Sequence, residues 1–345
     1  MALMDMEIKE LEALLKDLGQ PAFRAGQLFT WLAKGVSLEE MSNLPLGLRQ
    51  ELKKISLGGA EIYSRLVSKL DGTRKYLFSL TDGNIIEGVL MKYNYGNTLC
   101  VSSQVGCRMG CAFCASTLDG LVRNLAPGEM YGQITSVNNE LRSEGERLIS
   151  HVVVMGSGEP LENFDNLIKF LRLINSPDGL NIGMRNISVS TCGLADRIEE
   201  LARLKLGVTL SISLHAPENE LRRRIMPVAN KYPLEQLMEA AKYYIHETGR
   251  RVIFEYILLN GVNDSREHAR ALKRLLKGMQ CHVNLIRMND VSERELKGSS
   301  PKAAQAFKAE LDSLNVSCTI RREMGQDING ACGQLRRKTI EGGRI

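Results

Sequence analysis

The spacing of apolar residues changes twice along this chain, and the changes divide it into three regions. In residues 1–56, Leu11, Leu14, Leu15 and Leu18 recur at helical spacing, and Gly19 with Pro21 ends the run. Phe23, Leu28, Phe29, Trp31 and Leu32 mark a second helix, and a third starts near Pro45 and runs through Leu48 and Leu52. Three short helices with charged faces describe a small accessory domain. From 60 to 93 the pattern turns to strands at 62–70, 76–80 and 85–91, with Asp71-Gly72 and Asp82-Gly83 as the hairpin turns between them. Beyond Cys100, apolar strands are expected at 149–155, 187–190, 208–214, 252–258, 282–288 and 316–320. Helical stretches intervene at 128–142, 164–175, 194–204, 234–247, 265–277 and 301–314. That alternation predicts an α/β fold of βαβ units, with a parallel sheet curved into a partial barrel. Sites in such sheets gather at the carboxyl ends of the strands. The expected organisation is a helical unit at 1–56, a β-rich connector at 57–95, the barrel at 96–325 and a C-terminal loop and tail at 326–345.

Length and composition narrow the class without naming a function. The 345 residues suit about two domains, and 43% hydrophobic content is that of an ordinary globular protein. No run of 18 apolar residues occurs, and the N-terminus lacks a basic start and apolar core, so neither a membrane span nor a signal peptide is expected. Eight cysteines in a chain expected in the cytosol point to metal or redox work rather than structural disulfides. A net charge of +5 permits nucleic-acid binding without requiring it. The basic clusters Arg222-Arg-Arg224, Arg321-Arg322 and Arg336-Arg-Lys338 read as solvated surface. An RNA partner would be recognised by shape or through a splayed base.

The most specific chemistry lies in Gly106-Cys-Arg-Met-Gly-Cys-Ala-Phe-Cys114, which places Cys107, Cys111 and Cys114 at CxxxCxxC spacing. A 4Fe–4S cluster takes four ligands, so three cysteines leave one iron open. In chemistry that begins with S-adenosylmethionine (SAM), that iron is where the cofactor docks and is split. Zinc with a distant fourth ligand and a chance cluster of buried thiols are the alternatives. Phe113, between the last two cysteines, could shield a metal from water.

Candidate binding groups sit at the expected strand ends. Met155-Gly-Ser-Gly-Glu-Pro160 follows one strand, bringing Gly158 for close backbone approach and the Glu159 carboxylate for an ammonium group, or else forming a plain βα turn. Ser190-Thr-Cys-Gly193, Ser213-Leu-His-Ala216 and Asn289 end others, with short polar groups suited to a ribose and a carboxylate; His215 equally reads as a capping or core histidine. Cys332 lies in the glycine-bearing loop Asp327-Ile-Asn-Gly-Ala-Cys-Gly-Gln-Leu335, where a reactive thiol would fit, and Cys100 precedes the cysteine motif. Cys192, Cys281 and Cys318 read as small buried hydrophobes.

Taken together, these pieces resemble the RlmN-type dual-specificity rRNA/tRNA adenine-carbon-2 methyltransferases of the radical SAM superfamily. The matching segments are Cys100-Val-Ser-Ser-Gln-Val-Gly-Cys107 with the CxxxCxxC, Met155-Gly-Ser-Gly-Glu-Pro160, Ser213-Leu-His-Ala216, Val283-Asn-Leu-Ile-Arg-Met-Asn289 and Ala331-Cys-Gly-Gln-Leu335. The resemblance extends over essentially the whole chain. It departs mildly at Ser157, where many relatives carry a larger apolar residue, and at Cys192.

The resemblance implies a partial (β/α)6 radical SAM barrel with an RNA-contacting helical domain and a β-hairpin extension. It implies a cluster on Cys107, Cys111 and Cys114, and SAM contacts from Gly158, Glu159, Ser190, Ser213, Leu214, His215 and Asn289. Cys332 would carry a methyl group as a thioether, Cys100 would resolve the protein–RNA adduct through a transient disulfide with Cys332, and Glu87 would accept the proton. The implied substrates are 23S rRNA at adenosine 2503 and tRNA at adenosine 37, with two SAM consumed per methylation. An electron donor such as flavodoxin or ferredoxin and a monomeric, cytoplasmic enzyme complete the expectation. Two other readings stand beside it: a Cfr-type carbon-8 methyltransferase using the same cysteines, and a non-catalytic metal-containing RNA-binding protein.

Overall fold

A computed structural model describes residues 1–288 and 293–328. The N-terminal unit holds helices α1 (Ile8–Asp17), α2 (Phe23–Lys34) and α3 (Leu46–Leu52). Leu11 and Leu15 of α1 and Leu28, Phe29 and Leu32 of α2 are buried, as their helical spacing predicts. One bond closes the unit and a second fixes it to the rest: Leu3 N–H donates to Ser56 O at 2.9 Å, and Gly128 N–H donates to Asp5 Oδ1 at 2.8 Å. The second bond puts a carboxylate at the N-terminus of α4 (Pro127–Ser143), where the helix dipole favours it.

Ten strands form one mixed sheet among the described residues. β1 (Glu61–Val67), β2 (Arg74–Ser79) and β3 (Ile85–Tyr93) run antiparallel, and β3 pairs antiparallel with β4 (Gly96–Cys100). β4 then pairs parallel with β7 (Ile149–Val154), two short strands, β5 (Gln104–Gly106) and β6 (Leu121–Asn124), having formed a separate ribbon. β8 (Ile187–Thr191), β9 (Thr209–Ser213), β10 (Val252–Leu258), β11 (Cys281–Arg287) and β12 (Cys318–Ile320) follow in sequence order, all parallel. Between them run α5 (Phe164–Asn175), α6 (Ala195–Arg203), α7 (Asn219–Ile225), α8 (Leu234–Thr248), α9 (Arg266–Leu275) and α10 (Pro301–Ser313).

The six expected parallel strands are present, and β4 adds a seventh that periodicity missed, because Gly96-Asn-Thr-Leu-Cys100 has little apolar alternation to detect. The ribbon β5–β6 and helix α7 also went unread. The β3–β4 pairing carries the sheet without interruption across the boundary expected at 95/96.

Strand register shows why the inner face is chemical rather than merely apolar. Cys100 pairs with Val153, Val153 with Ser188, Ser190 with Ser211, Ser213 with Glu255, and Glu255 with Asn284, so these residues share one face. The alternate positions, among them Val152, Val189, Leu210, Ile212, Phe254, Tyr256 and Leu285, are fully buried in the main core. Parallel strands covered on both sides usually read as continuous apolar runs. Here the inner side is largely polar, and Cys100, Ser190 and Ser213 on it line cavities. Among the described residues no helix is long and apolar enough to cross a membrane.

Candidate functional site

The cysteine motif occupies the loop that the β5–β6 ribbon closes at its base. Cys107 N–H donates to Gly120 O at 2.8 Å, joining the two ends of the loop, and Ala112 N–H donates to Ile225 O at 2.9 Å, tying its middle to α7. Thr117 Oγ1 donates to Cys114 O at 3.0 Å, and Arg294 donates to the same carbonyl. The loop is therefore held from three directions, by backbone bonds at its base and middle and by side-chain bonds on the Cys114 carbonyl.

All three thiols line one cavity of about 140 Å³, together with Met109, Phe113, Gly158, Glu159, Ser190, Cys192, Ser213 and His215. Burial pushes the Cys107 thiol up to about 12 and raises Cys111 and Cys114 as well, and the neighbouring cysteines push Cys111 further in the same direction. Such thiols ionise only when a cation arrives to hold them. Among the described residues no three His, Cys, Asp or Glu side chains gather tightly around a single point. Three thiols set around a cavity, rather than on one point, fit a group of several atoms such as a 4Fe–4S cluster.

Of the residues that the resemblance assigns to SAM, Gly158, Glu159, Ser190, Ser213 and His215 line the same cavity. Gly158 has φ +110°, and a Cβ there would lie 2.6 Å from Gln104 Cβ, so only glycine lets this loop pass. Glu159 is buried, and its carboxylate accepts Cys192 N–H at 2.7 Å and Leu161 N–H at 3.1 Å. The sequence suggested that this carboxylate was free for an ammonium group. The structure also uses it as a brace at the β8 end, where the side chains of Cys192 and Thr191 bond it as well. Burial raises its proton affinity, and those bonds act against the rise.

Ser190 and Ser213 are half-buried at the ends of β8 and β9 and face the cavity. Leu214 differs: its side chain is wholly buried in the core, while its N–H donates to Glu255 O at 3.0 Å. His215 sits at φ +59°, and its ring meets Phe113 edge-on at 4.9 Å. Ile257 N–H donates to His215 Nδ1 at 3.0 Å, so the ring proton is on Nε2. Burial and the nearby Arg222 charge push His215 down to about 3, which keeps it neutral.

A second cavity, of about 350 Å³, adjoins the first and holds Glu87, Cys100, Ile257, Ile286, Arg321 and Arg322. Phe113, Cys114, Met155 and Gly156 line both. Glu87 is buried, 3.4 Å from the fully buried Lys75 ammonium. Burial pushes the Cys100 thiol up to about 11, and the Arg321 charge opposes that shift. Asn289 and Cys332 lie outside the described residues.

Sequence reasoning missed two groups. Cys192 is not only a small hydrophobe, since it lines the thiol cavity, whereas Cys318 is buried against the core and Cys281 is half-buried on β11. Arg222 is not solvated surface but fully buried. Its position directly after Leu221, on a helix the apolar pattern did not reveal, left no signal.

Comparison with known proteins covers nearly the whole chain. Residues 101–272 match the family model described as the radical SAM superfamily, and residues 1–57 match the ribosomal RNA large subunit methyltransferase N-terminal domain. A protein from Lachnospira eligens named "Probable dual-specificity RNA methyltransferase RlmN" is 54% identical over 96% of this chain and 95% of its own length. A protein of the same name from Alkaliphilus oremlandii is 52% identical over 98% of both chains. The crystal structure of a radical SAM methyltransferase from Sphaerobacter thermophilus superposes with a TM-score of 0.93 at 41% identity, covering 97% of this chain and 98% of that one.

Proposed function

The chain belongs to the RlmN family of radical SAM RNA methyltransferases, and from that premise we propose that it methylates carbon 2 of adenine in adenosine 2503 of 23S rRNA and in adenosine 37 of tRNAs. The observation that carries this reading is the shared wall of Phe113, Cys114, Met155 and Gly156, which sets the thiol cavity directly beside the one holding Cys100 and Glu87. Chemistry begun in the thiol cavity would therefore adjoin the residues that complete it.

Cys107, Cys111 and Cys114 hold the cluster, while Gly158, Glu159, Ser190, Ser213, the Leu214 backbone, His215 and Asn289 hold SAM. The cluster and SAM, when bound, supply a hydrogen-abstracting radical. His215 takes part as a neutral donor through Nε2, because Nδ1 already accepts from Ile257. Cys332 carries the transferred methyl as a thioether. After that methyl loses a hydrogen, its carbon bonds carbon 2 of the base and joins protein to RNA.

One electron and one proton must then leave, the proton going to Glu87 and the electron to the cluster, which when bound would supply the acceptor. The Cys100 thiolate attacks the Cys332 sulfur, the carbon–sulfur bond breaks, a Cys100–Cys332 disulfide forms and the methylated base departs. Arg321, in the wall of the same cavity, favours the Cys100 thiolate against burial. The base must be unstacked to enter. The helical unit at 1–56 offers RNA an exposed Phe23 and a Trp31 ring under the Lys34 ammonium at 4.1 Å. The reading includes a flavodoxin- or ferredoxin-class electron donor and a monomeric enzyme in the cytoplasm.

Anaerobic turnover with SAM, a reductant and rRNA or tRNA, followed by mass spectrometry of the nucleosides, tests this function. 2-Methyladenosine is the expected product. 8-Methyladenosine would replace the reading with the Cfr-type reaction, and no methylated adenosine would overturn it.

A further inference from the structure

Helix α7 carries three consecutive arginines, of which Arg223 and Arg224 are exposed and Arg222 has no exposed surface at all. Among the described residues the Arg222 guanidinium bonds to backbone carbonyls. Its Nη2 donates to Cys192 O at 2.7 Å and Ser213 O at 3.2 Å, its Nε to Leu214 O at 3.1 Å, and its Nη1 to Tyr232 O at 3.4 Å. Among the described residues no carboxylate forms an ion pair with it. Room for it depends on Gly193, which sits at φ +105° and whose Cβ, if present, would lie 3.1 Å from Nη2.

Two features connect this group to the thiol cavity. The Cys192 peptide is gripped from both sides, its carbonyl by Arg222 and its N–H by Glu159 Oε2 at 2.7 Å, and Cys192 lines the cavity beside Cys107 and Cys111. Ser213, whose carbonyl is another Arg222 acceptor, lines the same cavity. An unpaired buried cation is expensive to maintain unless something negative arrives near it. Burial brings Arg222 down to about 10, which still leaves it charged at neutral pH.

We infer that Arg222 is a positioning residue of the thiol cavity, fixing the β8 and β9 ends and supplying the positive charge against which a cluster on Cys107, Cys111 and Cys114 is reduced. The inference rests on the proposed cluster ligands. Reduction adds one negative charge to a group already carrying three thiolates, and a nearby cation in a low-dielectric wall favours that state. Local charge and burial are what set cluster potentials.

The test uses the full chain with its cluster reconstituted anaerobically. Arg222→Gln keeps two hydrogen-bonding groups but no charge, and Arg222→Lys keeps the charge with fewer bonds. Iron per chain, spectroscopically titrated reduction potential and thermal unfolding of the iron-free protein are measured for each. The expected result is unchanged iron, with the reduced-to-oxidised ratio of Arg222→Gln at a fixed potential falling at least tenfold, equivalent to 59 mV for one electron. Arg222→Lys should hold close to the parent ratio. A full-iron Arg222→Gln variant with the parent potential would overturn the charge role, as would an Arg222→Lys variant that shifts as far as the glutamine. An Arg222→Gln chain that does not fold even without iron would make this a residue of the fold alone, and also overturn the inference. If the parent takes up no iron, or keeps all of it with Cys107, Cys111 and Cys114 replaced, the cluster reading has failed instead.

Discussion

The Lys75 ammonium lies 3.4 Å from the Glu87 carboxylate, on neighbouring strands, with both side chains buried. Removing one member of such a pair strands the other's charge away from water. Lys75→Met should therefore cost about 3–5 kcal/mol of stability by chemical denaturation. The double variant Lys75→Met with Glu87→Gln should recover much of that loss. Glu87→Gln alone should slow product formation by about 10²–10⁴-fold, the usual worth of a positioned base. Its cluster and the methylation of Cys332 should be unaffected, with iron assay and mass spectrometry of the protein as the checks.

The two outlying thiols make separable predictions. Cys332→Ala should abolish base methylation while iron content and SAM binding persist; turnover by that variant would contradict the carrier role. Cys100→Ala should stop the reaction one step later, so that a covalent protein–RNA adduct accumulates on denaturing gels. No adduct under turnover conditions would count against Cys100 as the resolving thiol.

Gly158→Ala should weaken SAM binding. At φ +110°, with Gln104 Cβ only 2.6 Å from the new methyl, the loop can accept alanine only by moving. Strain of this kind is worth about 1–3 kcal/mol, so equilibrium dialysis should show affinity lower by roughly one order of magnitude or more. The control is Gly183→Ala, whose new methyl meets nothing within 4 Å.

A pH test reaches the segment that leads toward Cys332. Burial tends to raise Asp71, but hydrogen bonds from Gly325 N–H and from Thr73 outweigh it and hold the group down to about 2. Asp327 adds a second tie, accepting from Ser68 Oγ at 2.6 Å and Lys69 N–H at 2.8 Å. A carboxyl depressed by folding stabilises above its unfolded pKa of about 4 and loses that contribution as pH falls toward the folded value. Protection of the Gly325 amide, its exchange relative to an unstructured peptide at the same pH, should thus fall between about pH 4 and pH 2. In Asp71→Asn that protection should be low throughout and flat across that window.

What could be read in advance followed from local rules. CxxxCxxC spacing marks the thiol loop because three ligands within eight residues must face one object, and strand ends rich in Ser, Gly and Glu mark the rest of the cavity lining because short polar groups rarely end apolar strands without purpose. Side-chain direction was less accessible. Leu214 and His215 are adjacent, yet one enters the core and the other the cavity, a division made by the left-handed backbone of His215. Arg222 looked like one of three surface arginines, and only α7's orientation separates it from its neighbours. Glu159 was legible as a candidate but not as a brace, because the shorter of the backbone bonds it accepts comes from Cys192, 33 positions away.

β4 has one further meaning. It is the strand where the sheet changes sense, with Cys100 paired to Val89 on one edge and to Val153 on the other. A chain begun at residue 96 would keep every parallel strand but leave that first edge open along its whole length. Open edges recruit other chains, and natural sheets are capped against it. The hairpin strands thus do more than carry Glu87: they keep Cys100 on an interior strand, so that its thiol opens to the cavity while its backbone is closed to neighbours.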